Sequence, residues 1–236
     1  MLRNAQRFLP QSVSKHLMTD IFSSKIIDDC TKKNPWNLGN RILYDLCSEN
    51  FTHETDEKII AKVWLIGRSY AAAIERRKNK EKSSDINDNF YTKTVVETFK
   101  KSTIDQYLSL LSKKSLDENE IPTILKTHRY LTDIIYDITK LEKRSFSSKY
   151  LHFHLPELFF LYDTRAVTAI RQFKLKLPKQ MKELTDNEFI DKEYGKFFCK
   201  CYLLQQEIYK KTKTLISPRQ LDNLLIGIAN DRLQNK

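Results

Sequence analysis

The sequence predicts an all-α fold, and three observations lead to that prediction. Apolar residues recur at helical spacing through most of the chain. No alternating pattern typical of a β-strand continues for more than a few residues. Only four glycines and six prolines occur in 236 residues, so tight turns are few. The scarcity of glycine also excludes a glycine-rich phosphate loop and disfavours a dinucleotide-binding fold.

The predicted helices follow one another along the chain. Residues 12–30 form one amphipathic helix or two short ones, and the helical pattern resumes over residues 36–47, after the Asn34-Pro35 break. Residues 58–78 give the clearest pattern, and the charged, serine-rich residues 75–89 are interpreted as a loop or a helix end. Further helical patterns occupy residues 90–113, 121–141, 186–209 and 218–233.

The composition predicts a folded, basic protein. Hydrophobic residues make up 40% of the chain, which is typical of a sequence that folds. The net charge of +11 suggests a polyanionic partner, most simply nucleic acid, although a merely basic surface is the alternative. No apolar run reaches the ~18 residues needed to span a bilayer, and residues 1–16 lack the features of a signal peptide. We therefore expect a soluble, cytoplasmic protein without a membrane partner.

The cysteines and histidines do not form a metal-binding pattern. Four cysteines suit a reducing compartment, but they include neither a CxxC pair nor the four-cysteine spacing of a zinc or iron–sulfur site. His152 and His154 could bind a metal only in an extended segment and with further ligands. We expect neither a metal nor another cofactor.

The segment most informative about function is residues 144–173. An apolar run, Leu158–Tyr162, ends there in Asp163, and a new helical pattern begins directly afterwards. A carboxylate at a helix start usually caps the helix by accepting hydrogen bonds from its first turn. Set among apolar residues and flanked by Arg165 and Arg171, the same carboxylate could stabilise a developing cation on a substrate held by its phosphates. Both interpretations stay open at this point.

A polar stretch interrupts the apolar helix predicted over residues 58–78. Arg68, Ser69 and Tyr70 follow Gly67 there, and they would open a polar face on the helix. The alternative is a kink at Gly67 followed by ordinary surface residues.

These segments together resemble the helix-hairpin-helix DNA glycosylases, the superfamily of endonuclease III and the 8-oxoguanine glycosylases. YDTRAVTAI, residues 162–170, is similar to the motif in which a catalytic aspartate opens a helix. Asp163 takes the position of that aspartate, and Arg165 replaces the usual histidine. FSSKYLHFHLPELFFL, residues 146–161, is similar to the second hairpin helix and the loop after it. IIAKVWLIGRSYAAAIERR, residues 59–77, resembles the helix whose end enters the vacated base stack.

The resemblance implies a helical enzyme of two lobes with an active cleft between them. The lobes would comprise residues 31–143 and 144–236, with helix 12–30 in addition, and we expect a monomer. The family flips a base out of double-stranded DNA and breaks its N-glycosidic bond, so Asp163 would stabilise an oxocarbenium-like transition state. DNA contacts are expected from Arg68, Ser69, Ser147, Ser148, Lys149, Arg165 and Arg171. The base pocket is expected from Tyr70, His152 and Tyr162.

Two departures from the family pattern refine these expectations. The hairpin glycines are missing between Phe146 and Pro156, so Ser147, Ser148 and Lys149 would bind phosphate instead. Lyases of the family carry a Schiff-base lysine about eighteen or nineteen residues before the aspartate, where this chain has Ser145 and Arg144. This favours a monofunctional hydrolase that leaves an abasic site.

The identity of the excised base is open. It would be a damaged or modified base, met in DNA repair or in antiviral defence against foreign DNA such as that of a phage. The first alternative is a non-enzymatic helical DNA-binding protein, either a regulator or a subunit of a defence system. A helical scaffold that binds an acidic protein is a third possibility.

Overall fold

The computed structural model describes residues 35–75 and 89–234, which form ten α-helices and, within those ranges, no β-strand. The all-α prediction is therefore confirmed. The predicted helix over residues 12–30, and most of the predicted loop over 75–89, lie outside the described residues. A π-helical turn, Phe90–Val95, runs directly into the third helix. The helices are α1 (Asn37–Glu49), α2 (Asp56–Ser69), α3 (Val96–Lys101), α4 (Ile104–Leu111), α5 (Ile121–Thr139), α6 (Arg144–His154), α7 (Thr164–Gln172), α8 (Lys179–Thr185), α9 (Lys192–Thr212) and α10 (Pro218–Gln234).

Helix α2 ends at Ser69, so the prediction of a helix continuing to residue 78 is wrong from Tyr70 to Glu75. The chain turns back because Ala71 adopts the left-handed conformation, with φ of 50°, and the Ala72 N–H donates to the Gly67 carbonyl at 2.8 Å. A Cβ atom on Gly67 would lie 3.2 Å from the Cα of Ala73. Glycine at position 67 therefore permits this close turn.

Helix α6 is the central helix of the described fold. Every residue from Phe146 to Leu155 is buried, and α6 packs against α1, α2 and α5. Helix α7 packs against α9 and α10, and the buried apolar residues of all ten helices form one continuous cluster. The division into lobes at residues 143 and 144 stays a prediction.

Buried polar side chains fasten α6 to the helices that precede it. His53 Nδ1 donates to Asp105 at 2.5 Å, and its Nε2 accepts a hydrogen bond from the Tyr150 hydroxyl at 2.6 Å. Burial lowers the pKa of His53, which keeps the ring neutral and suits one donor and one acceptor nitrogen. These hydrogen bonds therefore hold α6 against the segments that precede it in the chain.

Candidate active site

Asp163 occupies the N-cap of α7. Its backbone is extended, with φ of −148° and ψ of 170°, and its Oδ1 accepts the Ala166 N–H at 2.8 Å. Such a cap stabilises a helix by about 1 kcal/mol relative to alanine. The carboxylate is only partly buried, and Oδ2 has no hydrogen-bond partner among the described residues. The cap predicted from the sequence is present, and it uses one of the two oxygens.

Three buried side chains of α6 hold the loop that leads to Asp163. Ser148 Oγ accepts the Tyr162 N–H at 3.0 Å, and Lys149 Nζ donates to the Tyr162 carbonyl at 3.1 Å. His152 Nδ1 donates to the Phe159 carbonyl at 2.8 Å. Residues 148, 149 and 152 lie on one side of a helix. One face of α6 therefore positions the backbone directly before Asp163.

This arrangement contradicts the expectation that Ser147, Ser148 and Lys149 bind phosphate. All three side chains are buried, because α6 is surrounded by other helices. Ser147 Oγ donates to the carbonyl of Lys143 in its own helix, at 3.4 Å. A DNA phosphate has no access to these groups, whose partners are backbone atoms of the protein and the Ser145 hydroxyl.

The two adjacent serines allow a test of this role. Replacing Ser148 with alanine leaves the part-buried Tyr162 N–H without its acceptor, so we expect a loss of about 1 kcal/mol in the free energy of unfolding. Replacing Ser147 with alanine should cost at most about 0.5 kcal/mol, because the Lys143 carbonyl keeps its bond from the Ser147 N–H. Urea unfolding of both variants measures the difference, and equal losses would contradict the loop-holding role of Ser148.

Charged side chains from three helices surround Asp163 at electrostatic range. Lys149 of α6 and Asp222 of α10 interact with Asp163 directly, and Arg165 of α7 and Arg219 of α10 interact with both of those side chains. Burial lowers the pKa of Lys149, and the charge of Asp163 opposes that shift. Burial also raises the pKa of Asp222 to about 6; the Arg219 charge opposes this rise and the Asp163 charge adds to it. Two carboxylates in different surroundings are a pattern typical of acid–base sites.

Arg219 connects this charged cluster to the N-terminal helices. Its Nε donates to the Tyr44 hydroxyl at 3.0 Å, and its Nη1 lies 3.3 Å from Asp222 Oδ2. The guanidinium carbon lies 5.6 Å from the centre of the Tyr70 ring and 5.7 Å from that of Phe153. A cation over aromatic faces in a desolvated position is stabilised electrostatically.

A chain of hydrogen bonds runs from Arg219 to the loop before Asp163. The Tyr44 hydroxyl, which accepts from Arg219, donates to His152 Nε2 at 2.7 Å, and His152 holds the Phe159 carbonyl. Arg219 Nη2 and Asp222 Oδ1 are buried and have no hydrogen-bond partner among the described residues. Buried polar atoms without partners are rare in folded proteins, so each of these two calls for a specific explanation.

Arg219 and Asp222 were not recognised from the sequence. The available signal was a charged pair at i and i+3 beside Leu221, Leu224 and Leu225, all of which are buried. An Arg–Asp pair on the apolar side of a helix is unusual, since charged groups are seldom buried unless paired.

A cavity of about 520 Å³ lies between the end of α2 and the start of α6. Ser145 forms part of its wall and accepts a hydrogen bond from Lys149 Nζ at 2.6 Å. One ammonium group therefore contacts both the cavity wall and the carbonyl that precedes Asp163. The volume lies in the range of small-molecule sites. The lining residues are Gly67, Arg68, Ala71, Ala72, Ala73, Glu75, Glu142, Lys143, Arg144, Ser145 and Phe146.

The structure separates the remaining predicted site residues. Arg68 lines the cavity and pairs with Glu75, with 2.6 Å between Nη2 and Oε1, whereas Ser69 is exposed at the end of α2. Tyr70, His152 and Tyr162, the residues expected to form the base pocket, do not line this cavity. They pack instead among aromatic rings of the interior.

Arg165 and Arg171 are exposed on the outer face of α7, as DNA contacts would require. Among the described residues, neither lies within ion-pair distance of a carboxylate. Within the same ranges no group of three His, Cys, Asp or Glu side chains could hold a metal ion. No helix of the described residues has the length and apolar character to cross a membrane.

No family model, curated protein or solved structure matches this chain. Its function is therefore inferred from its own residues and their geometry.

Proposed function

We propose that this protein is a DNA glycosylase that flips a damaged or modified base out of duplex DNA and hydrolyses its N-glycosidic bond. The observation that carries the proposal is the Asp163 carboxylate, which has one oxygen fixed by a helix start and the other unengaged. Cleavage of an N-glycosidic bond builds positive charge on the deoxyribose. A fixed, partly desolvated carboxylate stabilises that charge and can accept a proton from the attacking water.

The order of elements around Asp163 supports the proposal. Helices α5 and α6 are joined by the short turn 140–143, in which Lys140 adopts the left-handed conformation with φ of 55°. Helix α6 then leads through a loop to Asp163 at the start of α7. A helix, a short turn, a second helix and then an aspartate at the next helix start is the order found in the helix-hairpin-helix glycosylases, which the sequence resembles.

The cavity between α2 and α6 is the proposed pocket for the flipped base. Its wall carries Arg68, the residue proposed to enter the base stack, and Ser145, which Lys149 connects to the Asp163 loop. Phe146 and the alanines supply apolar contact area, and charged side chains also line the cavity. Flipped bases are held by such a combination of apolar contacts and a few polar groups.

We propose hydrolysis without a lyase step. A lyase needs an amine that attacks the sugar, and Lys149 is a lysine whose ammonium group interacts electrostatically with Asp163. Its amine is buried and donates to both Ser145 and Tyr162, so it orients the Asp163 loop. At the register of the family's Schiff-base lysine the chain has Ser145 and Arg144.

One experiment tests the activity and its type. The protein is incubated with a panel of duplexes that each carry one damaged or modified base, including hypermodified bases from phage DNA, and half of each reaction is treated with alkali. We expect strand cleavage for at least one base, and only after alkali. Cleavage without alkali, together with a borohydride-trapped adduct, would show a lyase. Retention of duplex without excision across the panel would favour the non-enzymatic DNA-binding alternative.

A further inference from the structure

The segment that follows Asp163 carries an uncompensated positive charge. Residues 164–182 contain six lysines and arginines and no aspartate or glutamate, so they account for six of the eleven net positive charges of the chain. The six are Arg165, Arg171, Lys174, Lys176, Lys179 and Lys182. All six side chains are exposed.

Apolar side chains between these cations hold the segment against the core. On α7, Ala169 and Ile170 are buried, and Phe173 is buried directly after the helix. Leu175 and Leu177 then pack on the core, alternating with the exposed Lys174 and Lys176. The positive groups are therefore presented outward from an anchored backbone, which limits the entropy lost when a ligand orders them.

The cations of this segment are almost free of acidic partners. Among the described residues the only ion pair is that of Lys179 with Glu183, at 3.7 Å between two exposed side chains. Such a pair is worth little in water. The segment thus presents nearly its full charge to an external anion.

The turn between α5 and α6 differs from this basic segment, because carboxylates pair with its positive side chains. Arg144 pairs with Asp191, with 2.9 Å between Nε and Oδ2, and also with Glu142. Lys140 lies 3.9 Å from Asp137. The serines and the lysine that follow in α6 are buried. The segment after Asp163 therefore attracts a polyanion more strongly than this turn does.

We infer that residues 164–182, here called the basic track, bind the phosphodiester backbone of duplex DNA along the segment that follows Asp163 in the chain. Duplex DNA fits because its phosphates form a continuous row of charges, spaced by about 3.4 Å per strand along the axis. The inference rests on the proposed function only in taking Asp163 as the place of the target nucleotide. Binding to a plain duplex is independent of excision.

The test uses the full chain and an unmodified duplex. The double variant Lys174→Ala/Lys176→Ala is compared with Lys113→Ala/Lys126→Ala, which removes two exposed lysines outside the track. Each lost phosphate contact lowers the slope of log K against log salt by about 0.9. We expect the track variant to lose on the order of two units of slope and tenfold or more in affinity, with little change in the control variant.

Two outcomes would overturn the inference. The first is an equal slope for the track variant and wild type. The second is displacement of the duplex by polyglutamate at equal charge concentration, which would assign the track to an acidic protein. A changed slope together with no excision of any base would support the track and reject the glycosylase proposal, so the two failures are distinguishable.

Discussion

Replacing Asp163 with asparagine should lower the single-turnover rate of excision by on the order of 10²-fold or more, the effect of removing a main electrostatic stabiliser of the transition state. The fold should survive, because asparagine caps a helix about as well as aspartate and can still accept the Ala166 N–H. Affinity for a plain duplex should be unchanged as well. The rate is measured at saturating enzyme on a substrate that the base panel identifies.

The alanine variant at the same position provides the matched control. Asp163→Ala removes both the charge and the cap, so it should lose the same rate and, in addition, about 1 kcal/mol of stability. Urea unfolding separates the two variants. A wild-type rate in the asparagine variant would reduce Asp163 to a helix cap and remove the main support of the proposed function.

Replacing Asp222 with asparagine should lower the excision rate about tenfold at pH 7.5, as expected for the loss of a second negative charge near the developing cation. The wild-type rate should rise with pH through about 6, the pKa to which burial raises Asp222, and the variant should lack this rise. Burial lowers the pKa values of all four described histidines. Loss of the rise in the asparagine variant is the result that assigns it to Asp222. The measurement is a single-turnover pH profile from pH 5 to 8.

Asp222 should make the stability of the protein fall as the pH rises, whereas the excision rate should rise. The carboxyl has a higher pKa in the folded protein than its ordinary value of 3.8, so the folded state binds the proton more tightly. Its contribution to stability is therefore complete below pH 4 and is lost as the pH rises through about 6. The asparagine variant should be at least as stable as wild type at pH 7.5. If Asp222→Asn had the excision rate and the pH profile of the wild type, Asp222 would lie outside the active site.

The features that the sequence predicted correctly depend on residues close together in the chain. The periodicity of apolar residues identifies the helices, because a helix repeats its buried face every three to four residues. The cap at Asp163 was predictable for the same reason, since its partner is the Ala166 N–H three residues later. The exposed cations Arg165 and Arg171 also follow from the helical pattern around them.

The direction of the polar side chains of α6 was decided only by the tertiary structure. Ser148, Lys149 and His152 are residue types that usually lie at the surface, so a phosphate or base contact was the natural prediction. They point inward because helices pack around α6 and because the loop before Asp163 offers backbone partners inside the protein. No local pattern contains that information.

The charged surroundings of Asp163 were likewise decided by packing. Asp222 lies on α10 and interacts with Asp163 because α10 packs against α7, and Arg219 of the same helix interacts with Asp222. The sequence by itself determined most of the helices and the cap, since short-range hydrogen bonds and periodicity produce them. The helix Lys179–Thr185 was not predicted, and the predicted helix 186–209 begins only at Lys192. The tertiary structure decided which carboxylate gains a raised pKa and which lysine is buried, because desolvation depends on every helix that surrounds a group.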